Sequence, residues 1–116
     1  MTSCGKHIIL DAYGINPELL DNVQYLKQLG RFAIAKAGAT YIDMVFKKFE
    51  PVGCTLLFLL AESHLTFHCA PEFQFLSCDM YCCGEANAEV AIDYIVNELQ
   101  PDPNRTYRQT IIRGVE

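Results

Sequence analysis

The chain has 116 residues, 51% of them hydrophobic and 20% charged, with a formal net charge of −5. That is enough apolar material for one domain with a core, and too much for a disordered chain. With no basic run, the acidic balance argues against nucleic acid as a partner and is compatible with a small cationic substrate.

Lys6–Tyr13 reads as a first strand, because Ile8, Ile9 and Leu10 are β-rich and Gly14 ends the run. Asn16 can cap a helix with Pro17 at its first position. Leu19, Leu20, Val23, Leu26, Leu29, Ile34 and Ala37 recur at near-helical spacing, which predicts one helix from Pro17 to Lys36. Gly30 should loosen that helix and Gly38 should stop it.

Tyr41–Phe49 and Cys54–Ala61 read as strands joined by the turn 50–53. The second is apolar enough to be covered on both faces. His64–His68 and Phe73–Tyr81 are two further strands, separated by Ala70-Pro71-Glu72. Ala86–Leu99 is a second helix, closed by Pro101 and Pro103, and Thr106–Val115 is a last strand. The order suits an α+β fold: a two-layer α/β sandwich, its largely antiparallel sheet covered on one face by two helices. The apolar central strands suggest that the other face is buried, against a second subunit. Residues 1–116 read as a single domain.

Cys54–Ala61 is the longest apolar stretch and falls short of the roughly 18 residues of a membrane helix, so no membrane partner is expected. The first seven residues lack the charged and apolar regions of a signal peptide, which makes a cytoplasmic protein the expectation. Cysteines stand at 4, 54, 69, 78, 82 and 83 with no Cys-x-x-Cys pair. They read as buried reduced thiols, not as a disulfide frame or a zinc site.

Chemistry concentrates in Ala61-Glu62-Ser63-His64-Leu65-Thr66-Phe67-His68, then Pro71-Glu72, then Cys82-Cys83-Gly84-Glu85. A serine, two histidines, carboxylates and a thiol can support nucleophilic catalysis, or can be polar residues at a sheet edge. A Ser-His hydrolase lacks the expected Gly-x-Ser-x-Gly elbow. His64 and His68 could share a metal, but local spacing offers no third ligand, and no metal is expected.

This segment resembles the processing site of the small prokaryotic S-adenosylmethionine decarboxylases. The resemblance spans nearly the whole chain, through Gly5-Lys6-His7, Leu20-Asp21-Asn22-Val23, Ala37-Gly38-Ala39-Thr40, Phe49, Glu62-Ser63-His64-Leu65-Thr66, His68, Pro71-Glu72 and Cys83-Gly84-Glu85. It implies a proenzyme that makes its own cofactor. Ser63 attacks the Glu62 carbonyl, the resulting ester eliminates, and a pyruvoyl group is left at position 63. The products would be a β chain, 1–62, and an α chain, 63–116. The pyruvoyl ketone then forms a Schiff base with the substrate amine and accepts electrons as carbon dioxide leaves.

By the same resemblance, His68 is the base for elimination and Thr55, where the family has Ser, supports processing. Cys83 reprotonates the substrate carbon, Glu72 binds substrate, and Phe49 stacks on an adenine ring. Ser63 and His68 have opposite parity in a regular strand, so a bend near His64 or a second subunit must reconcile them. Family members are dimers or higher oligomers with sites shaped by two protomers, so a homo-oligomer is expected.

The chain departs from the family pattern around the substrate. Ala70 stands where a Trp is usual, Lys47 where His is common, Cys54-Thr55-Leu56 where a Val-Ser-Gly run is common, and Cys82 where Thr is usual. These changes should reshape the pocket. S-adenosylmethionine, whose decarboxylated form donates the aminopropyl group for spermidine, is the first expectation. Two alternatives stand beside it: an arginine or ornithine decarboxylase paralogue, and an uncut, non-catalytic binding or regulatory homologue.

Overall fold

The computed structural model describes residues 5–114. Cys4 and the expected end of the last strand at Val115 lie outside the described residues. Strands form at Gly5–Ala12 (β1), Tyr41–Lys48 (β2), Cys54–Leu60 (β3), Ser63–Ala70 (β4), Phe75–Cys83 (β5) and Thr106–Arg113 (β6). They make one sheet in the order β2-β3-β4-β5-β1-β6, and every neighbouring pair is antiparallel. Helices at Pro17–Leu20 (α1), Val23–Lys36 (α2) and Ala88–Leu99 (α3) complete the α+β sandwich.

Alternation along the strands sorts the residues between two faces. Leu56, Phe58, Leu65, Phe67, Leu76, Cys78, Met80, Ile8 and Leu10 are buried with Leu26, Ala33, Ile34, Ile92 and Ile95 of the helices. The opposite face carries Val45, Leu57, Leu59, Ile9 and Tyr107, which are 38–61% exposed. The apolar β3 is thus covered on one face only within this chain. Val45 and Leu57 are cross-strand partners on β2 and β3, with Leu59 on the same face, and an exposed apolar patch of this kind marks an interaction site. Among the described residues, no helix is long and apolar enough to cross a membrane.

Among the described residues three α-helices replace the two expected, because the run 17–36 breaks at Asp21-Asn22. Asn22 leaves the helix to cap the next one, its side chain accepting from the Tyr25 amide at 3.0 Å. Asp21 turns outward, accepting from the Gly53 amide at 2.9 Å and pairing with Lys48 at 2.9 Å. The break therefore ties the helical layer to the β2–β3 turn. Strand ends also differ: β4 reaches back to Ser63, and β5 starts at Phe75, not Phe73. Pro71–Phe73 instead forms a 3-10 turn that Gln74 closes in the left-handed region. Pro71 cannot supply a ladder hydrogen bond, so the chain turns there before pairing resumes.

Gly30 does not loosen α2; it lets the helix sit on the sheet. A Cβ at this position would lie 2.2 Å from the Phe58 ring, which is itself fully buried against Phe67. Gly30→Ala should cost about 1–3 kcal/mol through overpacking, against the helix propensity it gains. Urea unfolding should show a lower midpoint; an unchanged or raised midpoint would mean that the helix is free to shift.

Candidate active site

Glu62 and Ser63 sit where β3 turns into β4. The Glu62 carboxylate is gripped by Thr40, which donates from its amide at 2.9 Å and its hydroxyl at 3.2 Å. Ala61 donates in turn to the Thr40 carbonyl at 2.9 Å. These bonds hold the backbone on the amino-terminal side of the Glu62–Ser63 bond. On the other side, the β4–β5 register places Ser63 opposite Cys82. Cys83, next along, donates its thiol to the Glu62 carbonyl oxygen at 3.0 Å. A pocket of about 300 Å³ beside His64 is walled by Met44, Val45, Leu57 and Leu59. A second, of about 220 Å³, opens at Ala61, Glu62, Cys83 and Gly84.

The two adjacent thiols have different surroundings. Cys82 faces the helices, and burial, with Glu62 and Cys83 nearby, pushes its pKa up to about 11. It is a packing residue. Burial likewise pushes the Cys78 thiol up. Cys54, Cys69, Cys78, Cys82 and Cys83 are all free thiols, which agrees with the reduced-thiol reading for these five.

On the outer face beside Ser63 lies a polar network. The Ser63 hydroxyl is 3.3 Å from His64 Nδ1, and His64 Nε2 is 3.0 Å from Asp79 Oδ2. His7 Nε2 reaches the same carboxylate oxygen at 2.7 Å, and Thr66 donates its hydroxyl to the other. Arg113 donates to His7 Nδ1 at 3.0 Å. Partial burial works to raise the Asp79 pKa, but the bonds from His64, Thr66 and His7 outweigh it. They hold the carboxyl well below the usual carboxylate range.

The third partner that local spacing could not find for His64 is therefore on other strands. His7, His64 and Asp79 bring their ligand-type atoms within 4.8 Å of one another, whereas His68 is not among them. Those atoms are already bonded to each other, so the set reads as a closed hydrogen-bond network. His7, Thr40, Thr66 and Asp79 carried no role in the sequence reading. Asp79 had left a signal: it is a lone carboxylate inside an otherwise apolar strand.

The remaining expected site residues are elsewhere. His68 is exposed and stands opposite Thr55 on β3 and Ser77 on β5. Five residue-to-residue steps of strand take the chain from Ser63 to His68, about 16 Å at roughly 3.3 Å per step. Pairing from Ser63 to Ala70 is unbroken, so no bend brings the two together. Phe49, half exposed at the end of β2, and Glu72, exposed in the 3-10 turn, lie at that same far end. The structure thus splits the expected residues into two groups: Glu62, Ser63 and Cys83 at one end of β4, and Phe49, Thr55, His68 and Glu72 at the other.

Three of the sequence departures prove to be packing changes. Cys54, Leu56 and Cys82 are buried on the helix side. Only Lys47, Thr55 and Ala70 stand on strand positions of the outer face. Leu56, expected to reshape the pocket in place of a glycine, is instead fully buried against the helices.

A family model described as S-adenosylmethionine decarboxylase matches residues 6–114. The chain is similar to the S-adenosylmethionine decarboxylase proenzyme of Brevibacillus brevis, 39% identical over 112 residues that cover 96% of this chain and 83% of the relative. Proenzyme 2 of Bacillus cereus is 42% identical over 112 residues, covering 96% and 89%. Among solved structures, the adenosylmethionine decarboxylase of Aquifex aeolicus superposes with a TM-score of 0.89 at 34% identity, covering all of this chain and 95% of that one.

Asp79 loses its proton at lower pH in the folded chain than in the unfolded one. It therefore stabilises the fold above the unfolded carboxylate pKa of about 3.9, and that contribution fades as pH falls through the depressed folded value. Asp79→Asn should be less stable than the wild type at neutral pH, with the gap closing below about pH 4. Unfolding midpoints in urea across a pH series test this; a gap that widens in acid would contradict it.

Proposed function

The chain belongs to the S-adenosylmethionine decarboxylase family, and from that premise we propose a self-cleaving proenzyme that decarboxylates S-adenosylmethionine for polyamine synthesis. The observation that carries the reading is the contact between the Cys83 thiol and the Glu62 carbonyl oxygen. When a nucleophile adds to that carbonyl, the oxygen gains charge, and a donor already in place stabilises it. Ser63 is the adjacent hydroxyl, so cleavage between Glu62 and Ser63 would release chains 1–62 and 63–116.

The pyruvoyl group formed from Ser63 would supply an electron sink at the substrate's α-carbon. Fit is supported by two features of the uncut chain: a hollow opening at Glu62 and Cys83, and a thiol within reach of the new chain end. Cys83 would return a proton to the substrate carbon. Lys47, Thr55 and Ala70 are the departures left on the outer face, and the rest of the altered positions are core. The relatives named as S-adenosylmethionine decarboxylase proenzymes favour S-adenosylmethionine over arginine or ornithine as substrate.

A homodimer completes the site in this reading. A two-fold axis over the outer face would bury Val45, Leu57 and Leu59 and bring the Thr55–His68 end of one protomer to the Ser63–Cys83 end of its partner. An isologous contact of this kind makes two equivalent sites at once. His68 would then act in elimination and Thr55 in processing across the interface, with Phe49 and Glu72 at the substrate. Free thiols at the five described cysteines fit a reducing cytoplasm.

Intact mass spectrometry should find two pieces, the larger ending at Glu62, and Ser63→Ala should stay whole. A wild-type chain that never splits would end the self-cleavage reading and favour an uncut binding subunit. Carbon dioxide release should occur with S-adenosylmethionine and not with arginine or ornithine; the reverse would make the chain a paralogous amino-acid decarboxylase.

The shared site has its own test. Ser63→Ala and His68→Ala chains should each fail to mature alone. Co-expressed, the His68→Ala chain should split, because its partner supplies the histidine. No splitting in the mixed dimer would place His68 in its own protomer's site.

A further inference from the structure

We propose that His64, oriented by Asp79, is the base that starts self-cleavage, a step separate from the one assigned to His68. The inference rests on the self-processing reading above and names the residues for its first reaction.

The hydrogen-bond network determines where each proton sits. Arg113 is always a donor, so its bond to His7 Nδ1 puts the His7 proton on Nε2, where it is given to Asp79. Asp79 accepts from His7, from Thr66 and from His64. His64 must therefore carry its own proton on Nε2, which leaves a lone pair on Nδ1. That lone pair meets the Ser63 hydroxyl at 3.3 Å. The distance is long for such a pair, as resting catalytic contacts often are before the reaction tightens them. Serine, imidazole and carboxylate thus stand in the order that activates a hydroxyl. His68, about 16 Å along the strand, cannot serve Ser63 within the same chain.

The step balances with no further reactant. Ser63 Oγ gives its proton to His64 Nδ1 and bonds to the Glu62 carbonyl carbon. The carbonyl oxygen takes the charge against the Cys83 thiol. The bond from that carbon to the Ser63 nitrogen then breaks, and the nitrogen takes the proton from His64. An amide has become an ester, with no change in composition or oxidation state. Around His64 stand His7 from β1, Asp79 and Tyr81 from β5, and Asp43 from the wall of the neighbouring pocket, with Arg113 from β6 behind His7. His64 touches the reacting hydroxyl and is catalytic; Asp79 is a positioning residue.

Hydroxylamine splits an ester in the chain and leaves an amide intact, so it separates the two bases. Full-length wild type, His64→Ala, His64→Gln, Asp79→Asn and His68→Ala are incubated with and without hydroxylamine and read by intact mass. His68→Ala should form the ester and split only with the reagent. His64→Ala and His64→Gln should split with neither, slowed on the order of 100-fold or more. Asp79→Asn should form ester slowly, and added imidazole should partly restore ester formation in His64→Ala. Circular dichroism must show both His64 variants folded; should the alanine variant unfold, the glutamine variant decides. Ester formation in a His64 variant at the rate of His68→Ala would overturn the proposal. A wild-type chain that stays whole under both conditions would overturn the self-processing reading itself, and this inference with it.

Discussion

The register between β4 and β5 is the constraint on which the candidate site depends, since it sets Ser63 opposite Cys82 and Thr66 opposite Asp79. It is held by burial. Leu65 with Met80 and Phe67 with Cys78 place four fully or nearly fully buried side chains on the helix side. Slipping the pairing by one residue would turn those four toward the outer face and bring the polar residues into the core. The same register brings Cys83 to the Glu62 carbonyl and His64 beside Asp79. A packing requirement on one face of the sheet thereby fixes the chemistry on the other.

Gly30 and Phe58 extend that requirement to the helical layer. The helix approaches so closely that the missing Cβ is filled by the Phe58 ring, which in turn meets Phe67 of β4. The split between α1 and α2 does the same at the far end, where Asp21 holds the β2–β3 turn through Gly53 and Lys48. Neither feature touches the Glu62–Ser63 bond. Both limit how far β3 and β4 can move, and so how far Glu62 can drift from Thr40 and Cys83.

The outer face combines two properties seldom found together on a monomer's surface. It is apolar over β2 and β3 and carries a part-buried, fully connected polar network over β4, β5 and β1. Such a network is stable because each donor has an acceptor, and closing a second subunit over it would strengthen it by lowering the local dielectric. The division of the site residues between two ends of β4 has the same resolution. In the proposed homodimer, a second copy would cover the apolar face and bring the two groups of residues together.

The linear chain was legible in its periodicities and its motif. β-rich and apolar runs bounded by turn residues marked the strands, near-helical spacing marked the run 17–36, and the Glu62-Ser63-His64 run with Cys83 marked the candidate site by its resemblance to a known motif. The break at Asp21-Asn22 was not legible, since it depends on Gly53 and Lys48, 32 and 27 positions away. Nor was the role of Gly30, which depends on a ring in another layer. His64 could be seen in the motif but not paired, because Asp79 and His7 reach it across strands. Sequence by itself determined which residue types stand in the candidate site. Tertiary structure alone decided which of them meet, because antiparallel pairing brings residues of distant number to one face and leaves Ser63 and His68 of one strand at opposite ends.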